Sequence, residues 1–423
     1  MKITVLKGNF ISAPSLGELE IRENSFMVLE DGAIAGIFSS LPEKYSGAQI
    51  EDFSNCLIMQ SFCDMHLHAP QYPMLGMGMD LPLLDWLNTY TFKTEARFED
   101  DEYAREVYKK LARELIEMGT TRVCMFSSIH PRATLILMEE LENAGVTGFV
   151  GKVNMDRNGA PGLQETMDSS IRDTIYWLDE CGCFKNIKPI ITPRFTPSCS
   201  DGLMEELGKI AQARGLPVQS HLSENTSEIQ WVKELCPDCR GYWQSYQKHG
   251  LWKERTVMAH CVHCDEDEKN ALRDAGVVAA HCADSNINLC SGVAPVREML
   301  ERGIWVVLGS DIAGGAELSM MDVITKTIRA SKIKRIESGW KTDFLSVAEA
   351  YYLATTSAHM YFGAKPGFAK GNMLHAVVID DGASCTPRVL SMRERFERSL
   401  YLAEKTDICA VYSEGVKRVS RDC

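Results

Sequence analysis

Short apolar runs alternate with helix-spaced stretches along most of the chain. Eight runs stand out: SFCDMHLHA at 61–69, then TTRVCMFSSIH, GFVGKVNMD, KPIITPRFTPS, LPVQSHLSEN, RTVMAHCVHC, GVVAAHCADSN and IWVVLGSDIAGG. Each ends in polar residues, and most lead into an amphipathic segment. Between 98 and 118, apolar side chains recur at Tyr103, Val107, Leu111, Leu115 and Met118, a helical spacing that Gly119 stops. Near-continuous apolar strands that return through helices predict buried parallel pairing, hence an α/β fold with a (β/α)8 TIM-type barrel over 58–364. The ends of the chain have another texture. Residues 1–57 (ITVLKGNF, GELEIREN, SFMVLEDGAIAGIFS, SNCLIM) and 365–423 (NMLHAVVIDDG, DICAVYSEGVKRVSRD) read as short strands broken at Asp-Gly and Asn-Ser. They predict one small β module built from both ends. The stretch 70–97 is long and aromatic for a connector and predicts a lid or pocket wall.

Composition narrows the class. A length of 423 residues allows roughly two to three domains, or one barrel with an appended module. Apolar residues at 45% and charged residues at 24% are globular usage and exclude a disordered or fibrous chain. With 45 basic against 58 acidic residues, a net charge of −13 and no basic stripe, no nucleic-acid partner is expected. No run of eighteen apolar residues occurs, so no membrane span is expected. MKITVLKGNFISAP lacks the apolar core and cleavage site of a secretory leader. The fifteen cysteines therefore read as reduced, mostly buried thiols of a cytoplasmic enzyme. Two C-x-x-C pairs, Cys236 with Cys239 and Cys261 with Cys264, loosely match a zinc ribbon. The second pair directly follows a buried strand, and a ribbon knuckle there would displace it. The H-x-E and P-C-x-x-C pattern of the small zinc deaminases is absent.

The histidines carry the chemistry instead. Of ten, five fall at the strand ends: His66, His68, His221, His260 and His281. Alternation puts His66 and His68 on one face. An isolated His-x-His is ordinarily a pair of satisfied strand histidines. Here His221, His260 and Asp311 end other strands that a barrel would gather at the same mouth. Neutral imidazoles with a carboxylate suit zinc or, less often, ferrous iron. Glu224, alone, reads as a first-turn acidic residue; beside a metal-bound water its carboxyl could carry a proton. Arg194, Phe195, Gln71 and Trp86 are read either as surface and core residues or as contacts to a planar, carbonyl-bearing substrate.

These residues resemble the metal-dependent amidohydrolase superfamily and, within it, the guanine deaminases. His66-x-His68, His221, His260, His281-Cys282 and Ser310-Asp311 are its general marks. HAPQY at 68–72, LPLLDW at 81–86, TPRF at 192–195, SHLSEN at 220–225 and SDIAGG at 310–315 are the narrower ones. The resemblance implies one zinc per subunit, or ferrous iron, held by His66, His68, His221 and Asp311. It implies that His260 sits beside the attacking water and that Glu224 shuttles protons. Gln71, Arg194 and Phe195 match purine contacts, with Trp86, His221 and His281 also on the substrate side. It further implies a β-sandwich for the end module and a homodimer acting on a small-molecule purine in purine catabolism. The same metal site serves aminohydrolases of pterins, oxidised guanine, triazines and thio-adenosine; a non-catalytic scaffold would have shed ligands. Two departures are visible: Ala283 follows Cys282 where proline is usual, and His375 stands where aspartate is usual.

Overall fold

The structure, a computed structural model, describes residues 2–382 and 388–421. The chain ends meet in one sheet. From the N-terminal side come β1 (Ile3–Ser12), β2 (Glu20–Glu30), β3 (Ala33–Phe38) and β4 (Gln49–Gln60). The eight apolar runs follow as β5 (Phe62–His68), β6 (Thr120–Phe126), β7 (Thr147–Gly151), β8 (Val153–Asn154), β9 (Ile187–Pro189), β10 (Thr192–Pro193), β11 (Gln219–Leu222), β12 (Val257–His260), β13 (Val278–His281) and β14 (Trp305–Leu308). The C-terminal side adds β15 (Ala376–Ile379), β16 (Ile408–Ser413) and β17 (Val416–Ser420).

The end sheet has seven strands in the order β17-β16-β15-β4-β1-β2-β3, with β15 antiparallel to β4. Its hairpins turn where the sequence places glycine. Asp31-Gly32 and Glu414-Gly415 both have positive φ, the backbone of a tight hairpin turn. One expected break is missing: β2 runs on through Asn24, which takes φ +44 beside a shift in the β1–β2 register. Asn accommodates this conformation within a strand.

The remaining long strands form two four-stranded parallel sheets, β5-β6-β7-β9 and β11-β12-β13-β14. Backbone hydrogen bonds bridge both seams. Gln219 N donates to the Ile191 carbonyl at 2.9 Å, and on the other side Asp311 N donates to the His66 carbonyl at 2.8 Å. Helices cover the outside. The helix Asp101–Glu117 starts at Asp100, whose carboxylate accepts from the amides of Glu102 and Tyr103. It buries Ala104, Tyr108, Leu111, Ala112, Leu115 and Ile116. The buried stripe is therefore rotated from the expected one, with Tyr103, Val107 and Met118 at its margin.

Where the end sheet meets the parallel strands, buried histidines form a polar seam. His359 Nε2 lies 2.9 Å from the Ser61 carbonyl, and Arg122 lies 3.1 Å from its Nδ1. His375 contacts Thr121 Oγ1 and Glu414 Oε1, each at 2.9 Å, so the unusual histidine has partners on both ring nitrogens. Burial lowers His375 to about 4 and His359 well below its ordinary value. The unfolded chain takes up these protons near pH 6.5 and the folded chain resists until about pH 4, so stability falls as pH drops through that window. For His375 that shift amounts to about 3 kcal/mol of acid destabilisation, and His359 acts in the same direction. Unfolding midpoints measured from pH 7 to 4 are expected to fall steeply, and His375→Gln to flatten the slope.

Candidate active site

The site forms where β5 and β14 end side by side. His66 and His68 project from one face of β5 while Leu67 packs outward into the core. At the end of β14, the next residues return across the seam, and His68 N donates to the Ile312 carbonyl at 3.1 Å. Gly309 permits this closeness: a Cβ there would lie 2.8 Å from His66 Cβ and 2.9 Å from its backbone N and O. Asp64, which the sequence reading passed over, ties the strands further. Its carboxylate accepts from Ser310 N at 2.9 Å and bonds the Ser310 hydroxyl.

Four ligand-type side chains converge. Asp311 Oδ1 lies 3.2 Å from His66 Nε2 and 3.5 Å from His68 Nε2. His68 Nε2 and His221 Nε2 are 3.1 Å apart. His221 Nδ1 lies 2.6 Å from the Arg194 carbonyl; that oxygen can only accept, so Nδ1 carries the proton and Nε2 presents a lone pair. The ligand atoms of His66, His68 and His221 fall within 4.8 Å of one another, as do those of His66, His260 and Asp311. Burial holds His66, His68 and His221 below their ordinary pKa. Although burial opposes it, the surrounding imidazoles keep the Asp311 carboxyl far below the carboxylate range. His66 Nε2 has no hydrogen-bond partner although it is buried. Neutral imidazoles, an ionised carboxylate and an orphaned nitrogen at one point are a donor set that fits a metal ion.

The flanking groups complete the mouth. His260 takes φ +72, which breaks the alternation of β12 and turns its ring toward His66 and His221. Its Nδ1 meets Asn286 Oδ1 at 2.8 Å, and its Nε2 lies 3.5 Å from Glu224 Oε2. Burial pushes Glu224 up to about 7, while Glu224 and Asp311 raise His260 against the opposing pull of burial. Gln71, Trp86, Arg194 and Phe195 line the same cavity as His68, His221, Glu224, His260 and Asp311. The 70–97 segment supplies one wall through Leu83, Trp86 and Leu87. His281 is the exception. Val278 and Ala280 of β13 point to the inner core and Ala279 to the outer one, so alternation carries His281 outward. It lines a separate cavity with Arg297 and Thr327, so the structure does not bring it to the cavity that holds His68, His221 and Asp311. Cys236, Cys239, Cys261 and Cys264 are free thiols; the described ligand groups contain only histidines and Asp311. Glu95, Asn286 and Asp64 were missed, because nothing in their sequence neighbourhood marks them.

The amidohydrolase family pattern matches residues 57–404. The chain belongs to the amidohydrolases, and within them to the guanine deaminases. It is similar to the guanine deaminase of Dictyostelium discoideum, 35% identical over 98% of both chains. It is likewise similar to that of Mus musculus, 36% identical over 97% of this amidohydrolase and 95% of the relative. A solved guanine deaminase from C. acetobutylicum, with guanine in its active site, superposes with a TM-score of 0.96 at 43% identity. That match covers 98% of this chain and all of the other. No described helix is long and apolar enough to cross a membrane.

The seam gives a direct test. Gly309→Ala forces a methyl onto His66 and is expected to cost about 1–3 kcal/mol of stability and to lower bound metal. Gly47→Ala, where a Cβ meets nothing within 4 Å, should change neither. Thermal unfolding and metal analysis of both variants check this.

Proposed function

We propose that this amidohydrolase converts guanine and water to xanthine and ammonia through the residues gathered at the β5–β14 seam. The observation that carries the residue roles is that His68, His221 and Asp311 line one cavity with Glu224 and His260, while His66 joins both ligand groups, one with His68 and His221 and the other with His260 and Asp311. We read the two parallel sheets as one eight-stranded barrel over 58–364, closed at the bridged seams. The ends, 1–57 and 365–423, are read as a β-sandwich module. His66, His68, His221 and Asp311 would hold one zinc, or ferrous iron in its place. Bound there, such an ion supplies Lewis acidity that brings a water's pKa toward about 7.

The chain's own groups do the rest. Asp311 accepts a proton from the attacking water, and His260, steadied by Asn286, orients that water. As oxygen adds to C2 of the purine, Glu224 delivers a proton to N3, so negative charge does not build on the ring. A pKa near 7 lets Glu224 both give and retake a proton at neutral pH. A second proton passes to the C2 amino group, the C2–N bond breaks, and ammonia leaves xanthine behind. Gln71 and Arg194 hold the ring edge, Phe195 and Trp86 flank its faces, and the 70–97 wall excludes water. The family resemblance also carries a cytoplasmic homodimer acting in purine breakdown.

Glu224→Gln is expected to keep its metal and lose at least about a hundredfold in kcat. Near-normal turnover would remove Glu224 from the reaction. Asp311→Asn should lower both metal content and rate, and full metal occupancy would remove it from the ligand set. Ultraviolet assays of the metal-loaded wild type on guanine, pterins, triazines and thio-adenosine test the substrate. A fast alternative with guanine untouched would replace guanine.

A further inference from the structure

The residue is Glu95, in the segment that walls the cavity. It is 2% exposed and does not itself line the mouth; it lies behind two residues that do. Its Oε2 accepts from Arg194 Nη1 at 2.5 Å and its Oε1 from Arg194 Nη2 at 3.1 Å. Oε1 also accepts from Gln71 Nε2 at 2.9 Å. Gln71 is held from its other end, where Oε1 accepts from Ala313 N at 3.0 Å.

These contacts allow one arrangement. An ionised carboxylate can only accept and a backbone N–H can only donate, so the Gln71 amide cannot turn over without breaking both bonds. Its oxygen is used by Ala313. With that oxygen directed at the Ala313 N–H and one N–H on Glu95, the donor that remains to Gln71 is the second N–H of Nε2. Arg194 offers only N–H groups, and Glu95 engages two nitrogens of the fork, directing the remaining hydrogens away from itself. Both side chains therefore meet the substrate as donors. Guanine presents an acceptor pair, O6 and N7. A purine with an amino group at C6 presents a donor there, and two facing donors leave buried groups unpaired, which strongly disfavours binding.

We propose that Glu95 is the positioning residue that fixes Gln71 and Arg194 as donors, so that the pocket takes 6-oxo purines and refuses 6-amino ones. The inference rests on the guanine reading above and names the origin of its selectivity. Because Glu95 comes from the 70–97 wall, the segment that covers the cavity also sets what it reads. The carbonyl of Arg194 bonds His221, so the same residue couples this recognition edge to the metal-side histidines.

The test compares guanine with 2,6-diaminopurine, which keeps the 2-amino leaving group and replaces O6 by an amine. Metal-loaded wild type and Glu95→Gln are assayed for turnover of guanine and for turnover or competitive inhibition by 2,6-diaminopurine. The neutral amide at 95 lets Gln71 turn over. Glu95→Gln should lose about ten- to hundredfold in kcat/KM on guanine, mostly through KM, while 2,6-diaminopurine changes little. Equal losses on both purines, or an unchanged ratio, overturn the proposal. If Glu95→Gln does not fold, Gln71→Leu leaves the Glu95–Arg194 pair intact and must show the same guanine-selective loss; equal losses there overturn it too. A wild type that binds 2,6-diaminopurine as well as guanine also overturns it. A wild type that ignores guanine fails the underlying reading first.

Discussion

The contact on which the site depends is the seam between β5 and β14. Two strands more than 230 residues apart in the chain are pinned by Asp311 N on the His66 carbonyl and by Asp64 on Ser310. That pairing brings His66 and His68 from one strand against Asp311 from the other. Gly309 is the narrowest point, since the β5 backbone occupies the space of any side chain there. The precision of the ligand set is thus a property of backbone hydrogen bonding, the most geometrically constrained interaction available.

Electrostatics then selects the protonation states. Burial alone would neutralise every group in the cleft. It does so for His66, His68 and His221, whose imidazoles have each other as neighbours. It pushes Glu224 up to about 7. Asp311 escapes because it is ringed by imidazoles, which outweigh desolvation. Two carboxyl groups in one cavity therefore hold different states, Asp311 ionised and Glu224 poised near 7, the division that the proposed roles of base and proton carrier would use.

Much of this was legible in the sequence because it rests on period and position. The eight apolar runs all appear as strands, and the polar residues that follow five of them, at His68, Arg194, His221, His260 and Asp311, line the cavity. Alternation along β5 predicted the shared face of His66 and His68 correctly. The same rule, applied to β13, places His281 on the outer face, a consequence that the strand-end argument overlooked. His260 occupies the outward register on β12 yet reaches the mouth, because its backbone turns through positive φ; no periodicity encodes that. The helix over 101–117 was anticipated, but its buried stripe is set by the helix packed against it. Glu95, Asn286 and Asp64 were invisible for one reason: each acts through a partner distant in sequence, and a lone acid or amide carries no local signal of that partner.

The central claim is that the seam ligands hold an ion whose presence switches on guanine hydrolysis. Its most direct test is a titration of metal-stripped enzyme with zinc while guanine loss and xanthine and ammonia formation are followed together. The account predicts no turnover without metal, a rise that saturates at one equivalent per chain, and equal yields of xanthine and ammonia. Full guanine turnover by the metal-free protein, or a saturated site that leaves guanine unchanged, would contradict it.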